Sequence, residues 1–316
     1  MKKMLTGIDI GGTKCAVVLS DGKKILNKVK FATTDCNSTI MRIISEVANI
    51  GNTDAIGISC GGPLDSKRGV IMSPPNLPGW NNIEICDLLQ EKFRVPVAIQ
   101  NDANACALAE WRYGAGKGTK NMIFLTFGTG MGAGLILNGQ LYCGTNDMAG
   151  EIGHVRICQI GPVGYGKAGS FEGFCSGGGI AEIGKIVAKE ELQKGNNSSF
   201  CMSYEDIDKI TAKNIADLAK NGNDLAKKVF DICAEKLGQG LSILIDILNP
   251  ELIVIGSVFA RSEELLRPKM EKVIASEVLP YSGCVCQVVS AKLGEEIGDY
   301  AAIAVAEDAY IRSKNK

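Results

Sequence analysis

Four glycines alternate in Gly128-Thr129-Gly130-Met131-Gly132-Ala133-Gly134, directly after the apolar run Met122 to Phe127, and no other stretch constrains the fold as much. Without Cβ atoms the backbone can approach a ligand closely and aim several N–H groups at one anion. The spacing also fits the dinucleotide pattern Gly-x-Gly-x-x-Ala, which would make the chain a hydride-transfer enzyme. That pattern needs a helix next, whereas Leu135-Ile136-Leu137 continues apolar and meets Asn138-Gly139, the strongest short hairpin signal. The glycine loop is therefore predicted to join two strands, and the dehydrogenase reading fails on the hairpin.

The start of the chain has the same layout. Apolar Leu5 to Ile10 leads into Gly11-Gly12-Thr13, then apolar Cys15 to Leu19, then the hairpin pair Asp21-Gly22. Gly11 and Gly128, Asp21 and Asn138, and Gly22 and Gly139 each differ by 117 (128 − 11), so the chain reads as two copies of one unit. One tight hairpin would need no ligand. Two strand–glycine–strand turns can grip one polyphosphate from opposite sides.

At 316 residues, with 46% apolar and 22% charged content, the chain is long enough for about two domains with a sizeable core. Its formal net charge of −1, with Lys and Arg spread along it, offers neither a basic stripe for nucleic acid nor a polybasic cluster for a membrane. Small molecules are the expected partners. Met1-Lys2-Lys3 could begin a signal peptide, but Asp9 breaks the apolar run, no small-residue cleavage site follows, and no run reaches membrane-spanning length. A cytoplasmic location is expected. The twelve cysteines are scattered singly apart from Cys284-x-Cys286, and read as reduced thiols that pack as small apolar side chains. A reactive cysteine lacks a nearby base, since the only histidine is His154.

After three strands, Ile40, Ile43, Ile44, Val47 and Ala48 fall at helical spacing behind a cap at Asn37-Ser38. A strand at Ala55 to Ser59 precedes a Gly- and Pro-rich shaped loop from Cys60 to Trp80. A short helix with Ile85, Leu88 and Leu89 inward leads to the strand Val95 to Ile99, and Asn101-Asp102 opens the helix Ala103 to Tyr113. The second half repeats this order with an irregular polar insertion at about 144–206. A long helix follows, with Leu225, Val229, Cys233, Leu237, Leu241, Leu244 and Leu248 on one face, interrupted by Gly238 and Gly240 for close packing. The strand Leu252 to Ile255, a helix from about Ser262 to Glu277, the strand Val285 to Val289 and a helix from Asp299 to Arg312 complete it. The reading is α/β: an N-terminal domain at 1–117, joined by the C-terminal helix 299–316, and a C-terminal domain at 118–298, with the ligand expected in the cleft between them.

Asp9 ends the first strand beside the first glycine turn, where a carboxylate can hold magnesium against phosphate oxygens directly or through water; the commonplace role is to form the turn. Lys14 is a phosphate contact or a solvated strand lysine, since Gly-Gly-Thr-Lys is not the Walker loop. Asp102 begins a helix, where the ordinary role is an N-cap. At the carboxyl end of a parallel strand it could instead accept a proton from a substrate hydroxyl that attacks a phosphoryl group. Glu151, His154 and Glu172 offer the mixed donors and acceptors that a polyol needs.

With these residues in place, the chain resembles the ROK sugar kinases. The shared motifs are Asp9-Ile10-Gly11-Gly12-Thr13-Lys14, Asn76-Leu77 with Gly79-Trp80, Asn101-Asp102-Ala103-Asn104-Ala105, Gly128 to Gly134, Gly150-Glu151-x-Gly-His154 and Asn249-Pro250-Glu251 to Gly256. The resemblance implies two ribonuclease-H-like domains of the actin and hexokinase type, with the active site in the cleft between them. It also implies an ATP-dependent hexose kinase acting on the 6-hydroxyl, glucose leading and an N-acetylhexosamine or fructose as alternatives. Asp102 would be the catalytic base. Gly62, Asn76, Asn101, Asp102, Glu151, His154 and Glu172 would hold the sugar, and Asp9, Gly11, Gly12, Thr13, Lys14, Thr129, Gly130, Gly256 and Ser257 would hold ATP, with Asp9 carrying magnesium. A homodimer is compatible with the family.

Two departures stand out. The family usually has Gly-Gly after its late strand, where this chain has Gly256-Ser257. Many members also bind zinc through Cys-x-Cys-Gly-x-x-Gly-Cys-x-Glu; registering that motif on Glu172 puts Val163, Tyr165 and Ser170 at the cysteine positions, while Gly166 and Gly169 remain. No zinc is expected, and Val163 and Tyr165 should pack the loop in its place. The other functional class is a non-catalytic sugar-binding or regulatory ROK protein. Repressors of the family add a helix-turn-helix domain before the first glycine turn, and here eight residues precede Asp9, which counts against that class.

Overall fold

The computed structural model describes residues 3–314 and builds one five-stranded sheet from each half of the repeat. The first half runs β1 (Leu5–Ile10), β2 (Lys14–Ser20), β3 (Ile25–Ala32), α1 (Cys36–Ile50) and β4 (Ala55–Cys60). A short hairpin, β5 (Leu64–Asp65) and β6 (Val70–Ile71), then precedes α2 (Ile85–Phe93), β7 (Val97–Asn101) and α3 (Asp102–Tyr113). Its sheet order is β3-β2-β1-β4-β7, antiparallel across β1, β2 and β3 and parallel across β1, β4 and β7.

The second half runs β8 (Met122–Phe127), β9 (Met131–Leu137), β10 (Gln140–Tyr142), the hairpin β11 (Val163–Gly164) and β12 (Lys167–Ala168), and α4 (Phe171–Phe174). It continues through α5 (Gly177–Gln193), α6 (Ala212–Lys220), α7 (Asp224–Leu248), β13 (Leu252–Ile255), α8 (Val258–Arg261), α9 (Glu263–Glu277), α10 (Pro280–Gly283), β14 (Gln287–Ser290) and α11 (Ile297–Lys314). Its sheet order, β10-β9-β8-β13-β14, repeats the first position for position. Both sheets have the ribonuclease-H-like order, so the fold is α/β of the two-domain actin and hexokinase type.

By proximity of backbone the chain forms two compact units. The first takes in the chain to Gly118, Gly134–Ala149 and the chain from Lys292; the second is Thr119–Ala133 and Gly150–Ala291. Residues 134–149, read from the sequence as part of the second domain, thus cluster with the first.

In the first unit, alternation of side chains along β1 and β2 fills two layers. Ile8, Ile10, Val17 and Leu19 face Ile40, Ile43 and Val47 of α1, while Leu5 and Val18 face Ile303 and Ala306 of α11. Helix α11 is apolar on most of its circumference because it is buried there. It lies directly on the sheet: a Cβ on Gly57 would come 2.0 Å from the Ala306 nitrogen, so only glycine fits.

Several local expectations change. The α1 cap is Asp35, whose carboxylate accepts from the Ser38 N–H, and not Asn37-Ser38. Leu88 is exposed, and Cys86 takes its place beside Ile85 and Leu89 in the core. Asn138-Gly139 is the two-residue hairpin expected, both residues with positive φ. Asp21-Gly22 is instead part of a four-residue loop, in which Asp21 Oδ1 accepts from the N–H groups of Lys23 and Lys24. The insertion is not irregular throughout, because α5 contributes 17 helical residues behind the Ser176 cap. Nor do Gly238 and Gly240 interrupt α7; a Cβ on Gly240 would lie 2.3 Å from the Phe171 ring. Among the described residues, no helix is long and apolar enough to cross a membrane.

Candidate active site

In the first unit, parallel pairing places Asp9, Ser59 and Gln100 side by side, then Ile10, Cys60 and Asn101. Whatever follows each strand therefore emerges along one sheet edge, where ligands of open α/β sheets sit. After β1 comes the turn Gly11-Gly12-Thr13, closed by the Gly11 N–H donating to the Lys14 carbonyl at 3.1 Å. After β4 comes Gly61-Gly62. Asn76 bridges them: its carbonyl would lie 2.5 Å from a Cβ on Gly12, and its side-chain amide 3.3 Å from one on Gly61. Gly12, Thr13, Lys14, Gly62 and Asn76 are all exposed on this edge.

After β7 the chain enters α3. Asn101 caps the helix, its Oδ1 accepting from the Asn104 N–H at 2.8 Å, and Asp102 becomes the first helical residue. The capping role is thus taken by the neighbour. Solvent reaches the Asp102 carboxylate, yet the protein crowded around it removes most bulk water. That desolvation pushes its pKa up, against the opposing Ala103 N–H, which donates at 2.9 Å. Asp9 is pushed up to about 6, first by burial and then by the charges of Asp299 and Asp102; Lys14 and Lys28 act against this. A cation would relieve such a field. One carboxylate suits magnesium, which keeps several waters and takes its remaining ligands from phosphate. Cys60, pushed up to about 12 by burial and then by Asp102 and Asp9, stays a thiol, and so does Cys106.

In the second unit the glycine turn is shorter than its sequence. Only Gly128-Thr129-Gly130 forms the loop, with the Gly128 N–H donating to the Gly130 carbonyl at 3.0 Å, and Gly132 and Gly134 lie inside β9. Beside the turn is a cavity of about 590 Å³ lined by Gly128, Thr129, Gly177, Gly178, Ser257 and Arg261, and by Lys213, Ala216, Asp217 and Lys220 of α6. The last four recur at i, i+3, i+4 and i+7, one helical face, while Ile215 and Ala219 point into the core. Sequence reasoning included Thr129 and Ser257 but missed Gly177, Gly178 and the α6 face. The signal for the former was Ser176-Gly177-Gly178-Gly179, a cap followed by residues without side chains. Gly256, directly after β13, is buried beside Phe124 of β8 and does not line this cavity.

The polyol candidates of the second unit gather at the start of β9. Glu172 Oε2 accepts from the Met131 N–H at 2.9 Å and would lie 2.6 Å from a Cβ on Gly130. Gly153, between Glu151 and His154, packs against Met131, whose carbonyl would be 2.1 Å from its Cβ. Glu151 and His154 are exposed. The following loop is not packed by Val163 and Tyr165, which are 61% and 83% exposed, contrary to expectation. Backbone bonds hold it instead. Gly169 O accepts from Ile157 and Cys158, Gly169 N donates to Pro162, and Phe171 N donates to Val155. Ser170 caps α4, and the Cys175 thiol is buried and donates to the Cys233 carbonyl. Among the described residues, no three His, Cys, Asp or Glu side chains are grouped to hold a metal ion.

Two repeated ribonuclease-H-like sheets, each with a glycine turn after its first strand, define a protein of the actin and hexokinase class. Residues 5–309 match the ROK family model. A glucokinase of Thermotoga maritima is 30% identical over 97% of this chain and 98% of its own length. The chain belongs to the ROK family. A xylose repressor of Caldicellulosiruptor bescii is 34% identical over 69% of this chain and 54% of its own length. Among solved structures, a ROK family glucokinase from Streptomyces griseus in complex with glucose and AMPPNP is 29% identical, with a TM-score of 0.73 over 96% of this chain and 99% of that one.

Proposed function

We propose that this chain is an ATP-dependent hexose kinase that phosphorylates the 6-hydroxyl, with glucose as the leading substrate. The observation carrying this is the division of labour at the start of α3. Asn101 satisfies the helix end, so Asp102 stands open with a raised pKa, suited to accept a proton from a hydroxyl. As Asp102 takes that proton, the sugar oxygen bonds to the γ-phosphorus, the bond from that phosphorus to the bridging oxygen breaks, and ADP leaves with the electron pair. Gly11, Gly12, Thr13 and Lys14, with Thr129 and Gly130, hold phosphates. Magnesium, when bound, neutralises phosphate charge, and Asp9 would hold it, directly or through water.

Gly62, Asn76, Asn101, Glu151, His154 and Glu172 bind the sugar's hydroxyls, and the loop at 155–171 works without zinc. Elemental analysis of protein purified without chelator should find zinc well below one per chain; stoichiometric zinc would overturn that part. The likeness to a xylose repressor favours a second reading, a sugar-responsive regulator without catalysis. A coupled assay of ADP release over glucose, N-acetylhexosamines and fructose tests both: no sugar-dependent ADP would leave the regulator.

A further inference from the structure

We propose that the Ser257 hydroxyl is a phosphate ligand of the second unit's cavity, donating to a phosphate oxygen of the bound nucleotide. Resting on the kinase reading above, it names one specific contact to that nucleotide. Ser257 has φ 60° and ψ −112°, the conformation of the first central residue of a type II′ turn, where glycine dominates. A side chain is disfavoured there by clash with the backbone.

The surrounding chain imposes this conformation. Just before it, Gly256 N donates to Leu125 O at 3.0 Å and Ala291 N to Ile255 O at 2.9 Å, finishing the sheet. Just after it, the Ser257 carbonyl accepts from Arg261 N at 3.3 Å, opening α8. Yet the serine side chain serves none of this. It makes no cap bond to α8 and has no hydrogen-bond partner among the described residues. It is exposed into the cavity, with Oγ 3.5 Å from where a Cβ on Gly128 would stand, beside the glycine turn. Arg261 lines the same cavity, as do Lys213 and Lys220, with Asp217 the one acidic side chain among the lining residues. The Ser257 hydroxyl and the N–H groups of Thr129 and Gly130 are donors, the Gly128 N–H being used within the turn, and with three basic residues to one acidic on the lining they suit an anionic oxygen.

Two variants separate the hydroxyl from the backbone. Ser257→Ala keeps a Cβ in the disfavoured conformation and removes the hydroxyl; Ser257→Gly removes both. Calorimetric titration with ADP and, separately, adenosine, in magnesium, reads affinity, and thermal unfolding reads stability. We expect both variants to bind ADP about 10-fold more weakly, the worth of one hydrogen bond. Adenosine affinity should hold within about 2-fold, and only Ser257→Gly should unfold at a higher temperature. ADP affinity unchanged in Ser257→Ala, or an equal loss for adenosine, would overturn the phosphate contact while leaving the kinase reading intact. A wild-type protein that binds neither ligand would overturn the kinase reading and this contact with it.

Discussion

Asn101 and Asp102 divide two tasks that one aspartate at a helix start would have to combine. Because the cap bond is already made by Asn101, Asp102→Asn should leave the helix intact. We expect turnover at saturating sugar to fall ~10²–10⁴-fold with the sugar's dissociation constant nearly unchanged; near-normal turnover would show that the carboxylate takes no proton. Asp9 makes a different prediction. Its pKa rises from 3.8 to about 6 on folding, so between these values the folded state binds more protons than the unfolded one. Stability therefore falls as pH rises through that window and stays lowered above it, by about 3 kcal/mol at ~1.4 kcal/mol per unit. In magnesium-free buffer, Asp9→Asn should be more stable than wild type at pH 7.5 and equal to it near pH 3.5, measured by urea unfolding. A gain that persists at low pH would mean that charge is not the cause. Glu151→Gln and His154→Ala should each weaken sugar use through lost hydrogen bonds worth ~1–3 kcal/mol, without changing ATP affinity measured alone. Asp9 and Asp102 were legible as candidates because each stands at the end of a strand, and Glu151 and His154 because glycines set them close together in Gly150-Glu151-Ile152-Gly153-His154. The Asn101 cap was not separable from Asp102, since either side chain could have filled that position.

At the scale of elements, helices and strands with one clear apolar period were visible in the sequence, and those with mixed signals were not. Helix α5 opens with three glycines, which oppose helix formation; its stability comes from Ile180, Ile183 and Val187 buried within the second unit. The loop at 155–171 was expected to rely on side chains, but its register is set by backbone bonds and by Gly169, where a Cβ would lie 1.9 Å from Cys158 O. Close approach also decides a prediction on α7. Alanine in place of Gly240 would gain ~1 kcal/mol of helix propensity, but its Cβ would strike the fully buried Phe171, and overpacking costs ~1–3 kcal/mol. Gly240→Ala should therefore lose about 1 kcal/mol in chemical denaturation. It should also weaken sugar binding, because Phe171 precedes Glu172 in α4. A stabilised variant would mean that the ring moves aside freely.

At the scale of the whole molecule, the offset of 117 residues predicted a duplicated sheet, and both sheets share one strand order. What it could not reveal is how a discontinuous unit is closed. Glu110, fully buried, accepts from Ala115 N at 2.7 Å and Leu293 N at 2.9 Å, so one carboxylate holds the first unit's chain near where it leaves and returns. Glu110→Gln turns one of those acceptors into a donor facing an N–H and should cost ~1–3 kcal/mol of stability. The partners are 183 residues apart in the longer case, beyond any local pattern. The most direct test of the central claim is ADP release by the wild-type protein with ATP, magnesium and glucose, with the sugar product read by phosphorus NMR. We expect glucose-dependent ADP release, one hexose 6-phosphate per ADP, and loss of both in Asp102→Asn. Tight glucose binding with no ADP release, from glucose or from any other hexose tested, would contradict it.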